Sequence, residues 1–266
     1  MRNSRTHGMG DDFSRISALY DTFDESTRLE SRAARIEFVT SVKYIEAALK
    51  PGMRILDLGA GTGRYSLYFA EKGYEVVAVE LVKKHAQAIE DARTAKMKLQ
   101  VIQGNALDAL KSFAAGSFDI VLCFGPLYHL EKVTDQLTCV KEVRRVCTSQ
   151  GRMFFAFINN DMVITTETML YNPTFMEAGR YNKDTFKVDN VPFVFHTVSG
   201  ARELLIQSGV TIEKEVASDG MSELLRDKIN QLSDEAYEQW VRYHLYLCEK
   251  PELLGASNHL LFIAKK

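Results

Sequence analysis

RILDLGAGTGRYSLYFAEKGYEVVAVEL, residues 54–81, is the stretch whose reading decides the fold. It opens with the apolar run from Ile55 to Leu58, which carries one acid, Asp57, and turns through Gly59-Ala60-Gly61-Thr62-Gly63. A short apolar run ahead of glycines predicts a buried parallel strand. The glycines predict a tight turn, because positive φ and close backbone approach are tolerated best without a Cβ. Leu67, Phe69 and Ala70 then recur at near-helical spacing, Gly73 closes the segment, and Val76-Val77-Ala78-Val79 forms a second apolar run that ends in Glu80. Strand, glycine turn, helix and strand make a βαβ unit.

Ligands of an open parallel sheet settle outside the carboxyl ends of its strands. The glycine turn ends one strand, and Glu80 ends the next, 21 residues after Gly59. A carboxylate there can accept both hydroxyls of a ribose lying across the turn, so the unit predicts an adenosine-containing ligand. The dinucleotide pattern G-x-G-x-x-G needs its third glycine at position 64, which Arg64 occupies; the spacing is G-x-G-x-G. Asp57 would repel a pyrophosphate and suits a ligand that bears an ammonium group. On Asp57, Gly59, Gly61 and Gly63 the stretch resembles motif I, acid-x-G-x-G-x-G, of the class I S-adenosylmethionine-dependent methyltransferases.

The rest of the chain extends that resemblance. Before the glycine strand, apolar residues recur with helical gaps over residues 13–23 and 29–49, and Lys50-Pro51-Gly52 stops the second helix. The resemblance implies that residues 1–50 fold as a helical lid over the cofactor mouth. It implies that Tyr20 lies over the methionine end; an aromatic packing anchor is the alternative. A third strand over 98–103 runs into Gly104-Asn105-Ala106, where the resemblance implies that Asn105 reads the adenine amino group and the Ala106 N–H its ring nitrogen. An asparagine suited to turn geometry is the other reading. A fourth strand over 117–124 runs into Gly125-Pro126-Leu127-Tyr128-His129-Leu130. GPLYHL in this position resembles small-molecule enzymes of the ubiquinone/menaquinone methyltransferase-like superfamily, and the [DN]-P-P-[FY] signature of base or glutamine-amide methylation is absent.

A helix over 131–147 ends at Ser149-Gln150-Gly151, and residues 152–158 form a fifth strand. Residues 51–158 are thus the expected cofactor-binding core of an α/β, doubly wound sheet. Between 159 and 197 no long periodic segment occurs, but aromatics and methionines are dense. This insertion reads as a cap over an apolar acceptor, or as a satellite cluster that closes the domain. Residues 198–266 supply a helix capped by Ser199, a strand over 210–217, helices over 222–248 broken near Ser233, and a final strand over 258–264. With them the resemblance implies a mostly parallel, seven-stranded Rossmann-like methyltransferase sheet with a reversed last strand, in a single domain over 1–266.

The formal net charge of −2 and pI near 6.3 give no electrostatic reason for a nucleic-acid partner. No apolar run approaches the ~20 residues needed to span a bilayer, and the polar start lacks a signal-peptide core; a cytoplasmic protein without a membrane partner is expected. Cys123, Cys139, Cys147 and Cys248 show neither a C-x-x-C pair nor metal-ligand spacing, so buried reduced thiols and no metal are expected.

The resemblance implies S-adenosyl-L-methionine as cofactor, held by Tyr20, Asp57, Gly59, Ala60, Gly61, Gly63, Glu80, Leu81, Asn105, Ala106 and Phe124. Methyl transfer to an O or N atom of a small molecule is then an in-line displacement, and a base is needed only for a protonated acceptor. His129 is the expected catalytic group, with Tyr128 beside it; capping or packing the next helix is the alternative for His129, and a place in the core for Tyr128. His196 and His244 are further candidates. An NAD-dependent oxidoreductase and a non-catalytic nucleoside binder are the competing functions.

Overall fold

In the computed structural model the described residues are Tyr20, 27–178, 180–190 and 193–266. The helix expected over 13–23 lies outside them except for Tyr20. Helix α1, Arg32–Ala48, starts where the Ser31 hydroxyl accepts from the Ala34 N–H at 3.2 Å. It buries Ala33, Ile36 and Ile45, and among them the acid Glu37.

Eight strands follow: β1 Arg54–Leu58, β2 Glu75–Glu80, β3 Leu99–Gln103, β4 Phe118–Cys123, β5 Cys147–Asn159, β6 Phe195–His196, β7 Thr211–Ala217 and β8 His259–Lys265. Between them run α2 Arg64–Glu71, α3 Lys83–Ala92, α4 Ala106–Ser112, α5 Val133–Val146, α6 Asn160–Thr166, α7 Val198–Gln207 and α8 Asp234–Leu247. The sheet order is β3-β2-β1-β4-β5-β8-β7, with the two-residue β6 added beside the end of β5. Pairing is parallel from β3 through β5, while β8 is antiparallel to both β5 and β7. This is the expected doubly wound, mostly parallel sheet. The order reverses between β1 and β4, which is where such sheets open a crevice at their carboxyl edge. Because β8 runs the other way, its first residues also reach that edge.

Several expectations change on contact with the structure. Ser149-Gln150-Gly151 does not end a helix: α5 stops at Val146 and β5 begins at once, with a register shift between Phe118 and Ile120 of β4. A Cβ on Gly151 would lie 2.5 Å from the Asp119 carbonyl oxygen, so the glycine marks an irregularity inside the strand. Thr197, not Ser199, caps α7 by accepting from the Gly200 N–H at 3.0 Å. The insertion is partly helical, holding α6, a π-helical turn over Glu167–Tyr171 and a short helix at Phe175–Ala178. Arg145 donates to the Leu110 and Phe113 carbonyls and ties α4 to α5. All four cysteines are free and buried, as expected. Among the described residues no helix is long and apolar enough to cross a membrane.

The core lies along β1, β4, β5 and β8, where Phe118, Phe154, Phe155, Phe157 and Phe262 are fully buried. Removing the ring of Phe154, which pairs with Ile263 across β5 and β8, leaves a cavity that a strand fixed on both sides closes only in part. Phe154→Ala is expected to lower the unfolding free energy by about 3–5 kcal/mol in denaturant titration.

Candidate functional site

The ends of β1 and β4 touch. A Cβ on Gly59 would lie 2.7 Å from the Gly125 Cα, and one on Gly125 would lie 2.9 Å from the Gly59 Cα. Both positions therefore exclude a side chain, and the sequence reading singled out only the first for a site role. Gly63 serves differently. At φ +89° it precedes α2, and a Cβ there would lie 2.7 Å from Ile89 Cγ1, so it lets α2 start against α3.

Glu80 holds the turn in shape. Its Oε2 accepts from the Gly61 N–H and its Oε1 from the Val82 N–H, both at 2.8 Å. The buried carboxylate thus joins the end of β2 to the glycine turn, with His85 Nδ1 3.8 Å from Oε1. At the next strand end Asn105 caps α4, its Oδ1 accepting from the Leu107 N–H at 2.7 Å. Turn geometry is therefore one of its roles. Ala106, as the first residue of α4, has no acceptor within the helix for its own N–H.

These three turns converge on one cleft of about 1080 Å³, room for a nucleoside cofactor and a second small molecule. Gly59, Gly61, Glu80, Leu81, Asn105, Ala106, Phe124, Tyr128, His129 and Tyr20 all line it. Asp57, Ala60 and Gly63 do not lie on its wall. Asp57, expected to meet the ligand, sits beneath the turn, 1% exposed, with Oδ2 accepting from the Ser66 hydroxyl at 2.6 Å. Its Oδ1 is buried without a partner. Burial, together with the nearby Glu80, outweighs the Ser66 bond and raises its pKa from the ordinary 3.8 to about 6.

Tyr20 and His129 meet across the cleft, Oη to Nε2 at 3.1 Å. Burial lowers the His129 pKa to about 4, so its imidazole is neutral at pH 7, and its Nδ1 is sealed without a partner. The insertion is stitched to the same loop: the Val194 N–H donates to the Tyr128 carbonyl at 2.7 Å. Phe175 and Phe195 belong to a small hydrophobic cluster of the insertion and also line the cleft.

Of the two further histidine candidates, neither reaches the cleft. His196 Nε2 lies 3.1 Å from Gln136 Oε1 and His244 Nε2 lies 3.0 Å from Thr40 Oγ1. Besides His85 and His129, His259 at the start of β8 lines it. Its Nδ1 lies 2.8 Å from Asp219 Oδ2 and 3.5 Å from Glu37 Oε2, and Arg28 binds both oxygens of Glu37, at 2.8 and 3.2 Å. Burial alone would lower the His259 pKa, but Glu37 and Asp219 raise it to about 9. Burial likewise pushes Glu37 up, and Arg28 and His259 bring it down to about 2. Ligating atoms of Glu37, Asp219 and His259 lie within 4.8 Å of one another, a grouping invisible in the linear spacing. They already hold one another and Arg28 as ion pairs.

Residues 56–155 match the family model described as a methyltransferase domain. The chain is 31% identical over 116 residues to the ubiquinone biosynthesis O-methyltransferase of Idiomarina loihiensis, covering 42% of this chain and 44% of that protein. It is 33% identical over 91 residues, 32% of this chain and 24% of its relative, to a Methanocaldococcus jannaschii protein named as a candidate ribosomal RNA large subunit methyltransferase. The chain thus spans less than half the length of either relative. In fold it is similar to a SAM-dependent methyltransferase from Archaeoglobus fulgidus, with TM-score 0.57 and 17% identity over 87% of this chain and 94% of that one. Since a relative named for ribosomal RNA shares the core, net charge alone does not exclude a nucleic-acid acceptor.

Asp57 has a measurable signature. Its folded pKa of about 6 lies above the unfolded 3.8, so the native state holds more protons between those values and stability falls as pH rises through that window. Asp57→Asn keeps an acceptor for Ser66 and removes the buried charge. It is expected to flatten the slope between pH 4 and 6 and to gain on the order of 2–3 kcal/mol at pH 7, read by denaturant midpoints across pH.

Proposed function

We propose that this chain, whose residues 56–155 match a methyltransferase-domain model, is a class I methyltransferase that moves a methyl group from S-adenosyl-L-methionine to an oxygen or nitrogen atom of a small-molecule acceptor. The observation that carries the reading is the convergence of the glycine turn, Glu80 and the Asn105-Ala106 turn on one cleft. Glu80 has its two oxygens committed to single backbone donors, and each retains a lone pair for a ribose hydroxyl. Ala106 offers its N–H to the adenine ring. Phe124 and Tyr128 supply aromatic faces suited to a sulfonium.

The cofactor brings the activated methyl group; the protein aligns the acceptor and excludes water. A neutral imidazole with a conjugate acid near pKa 4 is too weak to strip a free hydroxyl. It suits an oxygen that has begun to acquire the methyl group and has become strongly acidic. Since Tyr20 already engages Nε2, the proton reaches His129 through that hydroxyl. The insertion over 159–197 covers the acceptor with Phe175, Phe193 and Phe195.

Titration calorimetry with S-adenosylhomocysteine and with NADH tests the reading: the first is expected to bind and the second not, and the reverse would point to an oxidoreductase. Glu80→Ala removes both the ribose acceptor and the brace of the turn. It is expected to weaken S-adenosylhomocysteine by about 2 kcal/mol or more, roughly 30-fold. His129→Ala is expected to lower turnover with cofactor affinity within about threefold of wild type. Because His129 is neutral from pH 6 to 8, turnover is expected to show no inflection from it in that range.

A further inference from the structure

The wall opposite the adenosyl turns is formed by the start of β8. Asn258 and His259 both line the cleft there. The neighbouring acid, which also lines the cleft, is engaged by this strand: Asp219 Oδ1 accepts from the Ser257 hydroxyl at 2.6 Å and the His259 N–H at 3.1 Å, and Oδ2 faces His259 Nδ1. Glu37 is held by Arg28. Four opposite charges, Arg28 with Glu37 and His259 with Asp219, cancel in pairs. What remains unused is donor capacity. His259 Nε2 has no hydrogen-bond partner among the described residues, and its side chain is 23% exposed. Asn258 is only 8% exposed, its Oδ1 accepts from Thr166 Oγ1 at 3.2 Å, and its amide N–H groups have no hydrogen-bond partner among the described residues.

Resting on the methyltransferase reading, we propose that His259 and Asn258 form an acceptor subsite that binds a carboxylate. The imidazolium supplies a charge-assisted N–H and the amide a second, neutral one. Glu37 and Asp219 keep the imidazole charged at neutral pH. Of the other carboxylates on the wall, Asp189 is exposed and screened by solvent, burial pushes Glu167 towards its neutral form, and Glu223 is paired with Arg226.

Sheet geometry sets the length of the molecule. His259 pairs with Ile158 of β5, and Ile158 pairs on its other side with Phe195 of β6. Two strand spacings, roughly 10 Å, therefore separate His259 from Phe195. Phe195 follows Val194, whose N–H is bonded to Tyr128. The acceptor class is accordingly an elongated acid whose carboxylate is set off from the methylated atom by an apolar or aromatic body, which lies against Phe175, Phe193 and Phe195.

The test uses the full chain saturated with S-adenosylhomocysteine and titrated with 3-phenylpropionate and, separately, 3-phenylpropionamide. The acid is expected to bind at least roughly tenfold tighter than the isosteric amide, to shift the His259 Nε2 resonance in nitrogen-15 spectra, and to lose most of that preference in His259→Gln. Equal affinity for acid and amide, binding of neither up to about 10 mM, or a wild-type imidazole resonance unmoved by the acid would each overturn the subsite. The two readings separate cleanly. If S-adenosylhomocysteine binds and the acid shows no advantage, only the subsite falls; if S-adenosylhomocysteine does not bind, the methyltransferase reading falls and takes the subsite with it.

Discussion

Two glycines in backbone contact hold the site open. Gly59 follows β1 directly and Gly125 lies two residues beyond β4, and a Cβ on either would fall within 3 Å of the other's Cα. Adjacent strands in a sheet sit about 4.8 Å apart, so loops leaving neighbouring ends have little room unless they diverge or carry no side chain. Here they leave close together. The glycine turn goes towards β2 and the GPLYHL loop towards α5, and the crevice forms between strands whose connections depart in opposite senses. A side chain at either position would push the loops apart and displace the wall that everything else is set against.

From that contact the cleft divides by strand. On the β1, β2 and β3 side the working groups are backbone N–H donors and one buried carboxylate, Glu80, which shapes the turn before any ligand arrives. Such pre-ordering lowers what binding must spend on fixing a glycine-rich loop. Across β4, β5 and β8 the groups are side chains: Tyr128, His129 and a buried ion-pair network of Arg28, Glu37, His259 and Asp219. The two halves differ in electrostatic character. Asp57 is pushed towards its neutral form by burial, whereas Glu37 is held ionised by a bidentate guanidinium and an imidazolium. The same residue chemistry takes opposite states because one carboxyl finds only a hydroxyl donor and the other finds two cations.

The helical segments before β1 and after β5 acquire meaning only through these halves. Glu37 lies on α1 and reaches His259 on the last strand, while Tyr20 reaches His129 behind β4. The insertion is bound at both margins. Val194 hydrogen-bonds the Tyr128 carbonyl, and the Asn160 side chain holds Phe186 and Val188 through their backbone. Its aromatic residues serve at once as a small core and as cleft wall, because a segment too short to bury its own rings presents some of them to the cavity it covers.

Strand, turn and helix in residues 54–81 are legible without coordinates because each is a local response: a buried parallel strand needs a continuous apolar run, and a positive-φ turn needs glycine. The order of polar residues at successive strand ends, Glu80 and Asn105, follows from the same logic. Local pattern failed where neighbours in space dictated conformation. Ser149-Gln150-Gly151 has the composition of a helix stop but lies in β5, since the Asp119 carbonyl leaves room there only for glycine. His196 and His244 look equivalent to His259 in the sequence. Only the reversal of β8 carries His259 to the carboxyl edge, and only the fold brings Arg28, Glu37 and Asp219, up to 231 residues away from it, close enough to set its charge. Sequence alone thus determined the βαβ unit, the sheet class and the turns at the ends of β1, β2 and β3 that line one side of the cleft, all products of short-range pattern. The tertiary structure alone decided which histidines reach the cleft and which acids are charged, because proximity and burial are properties of the packed chain.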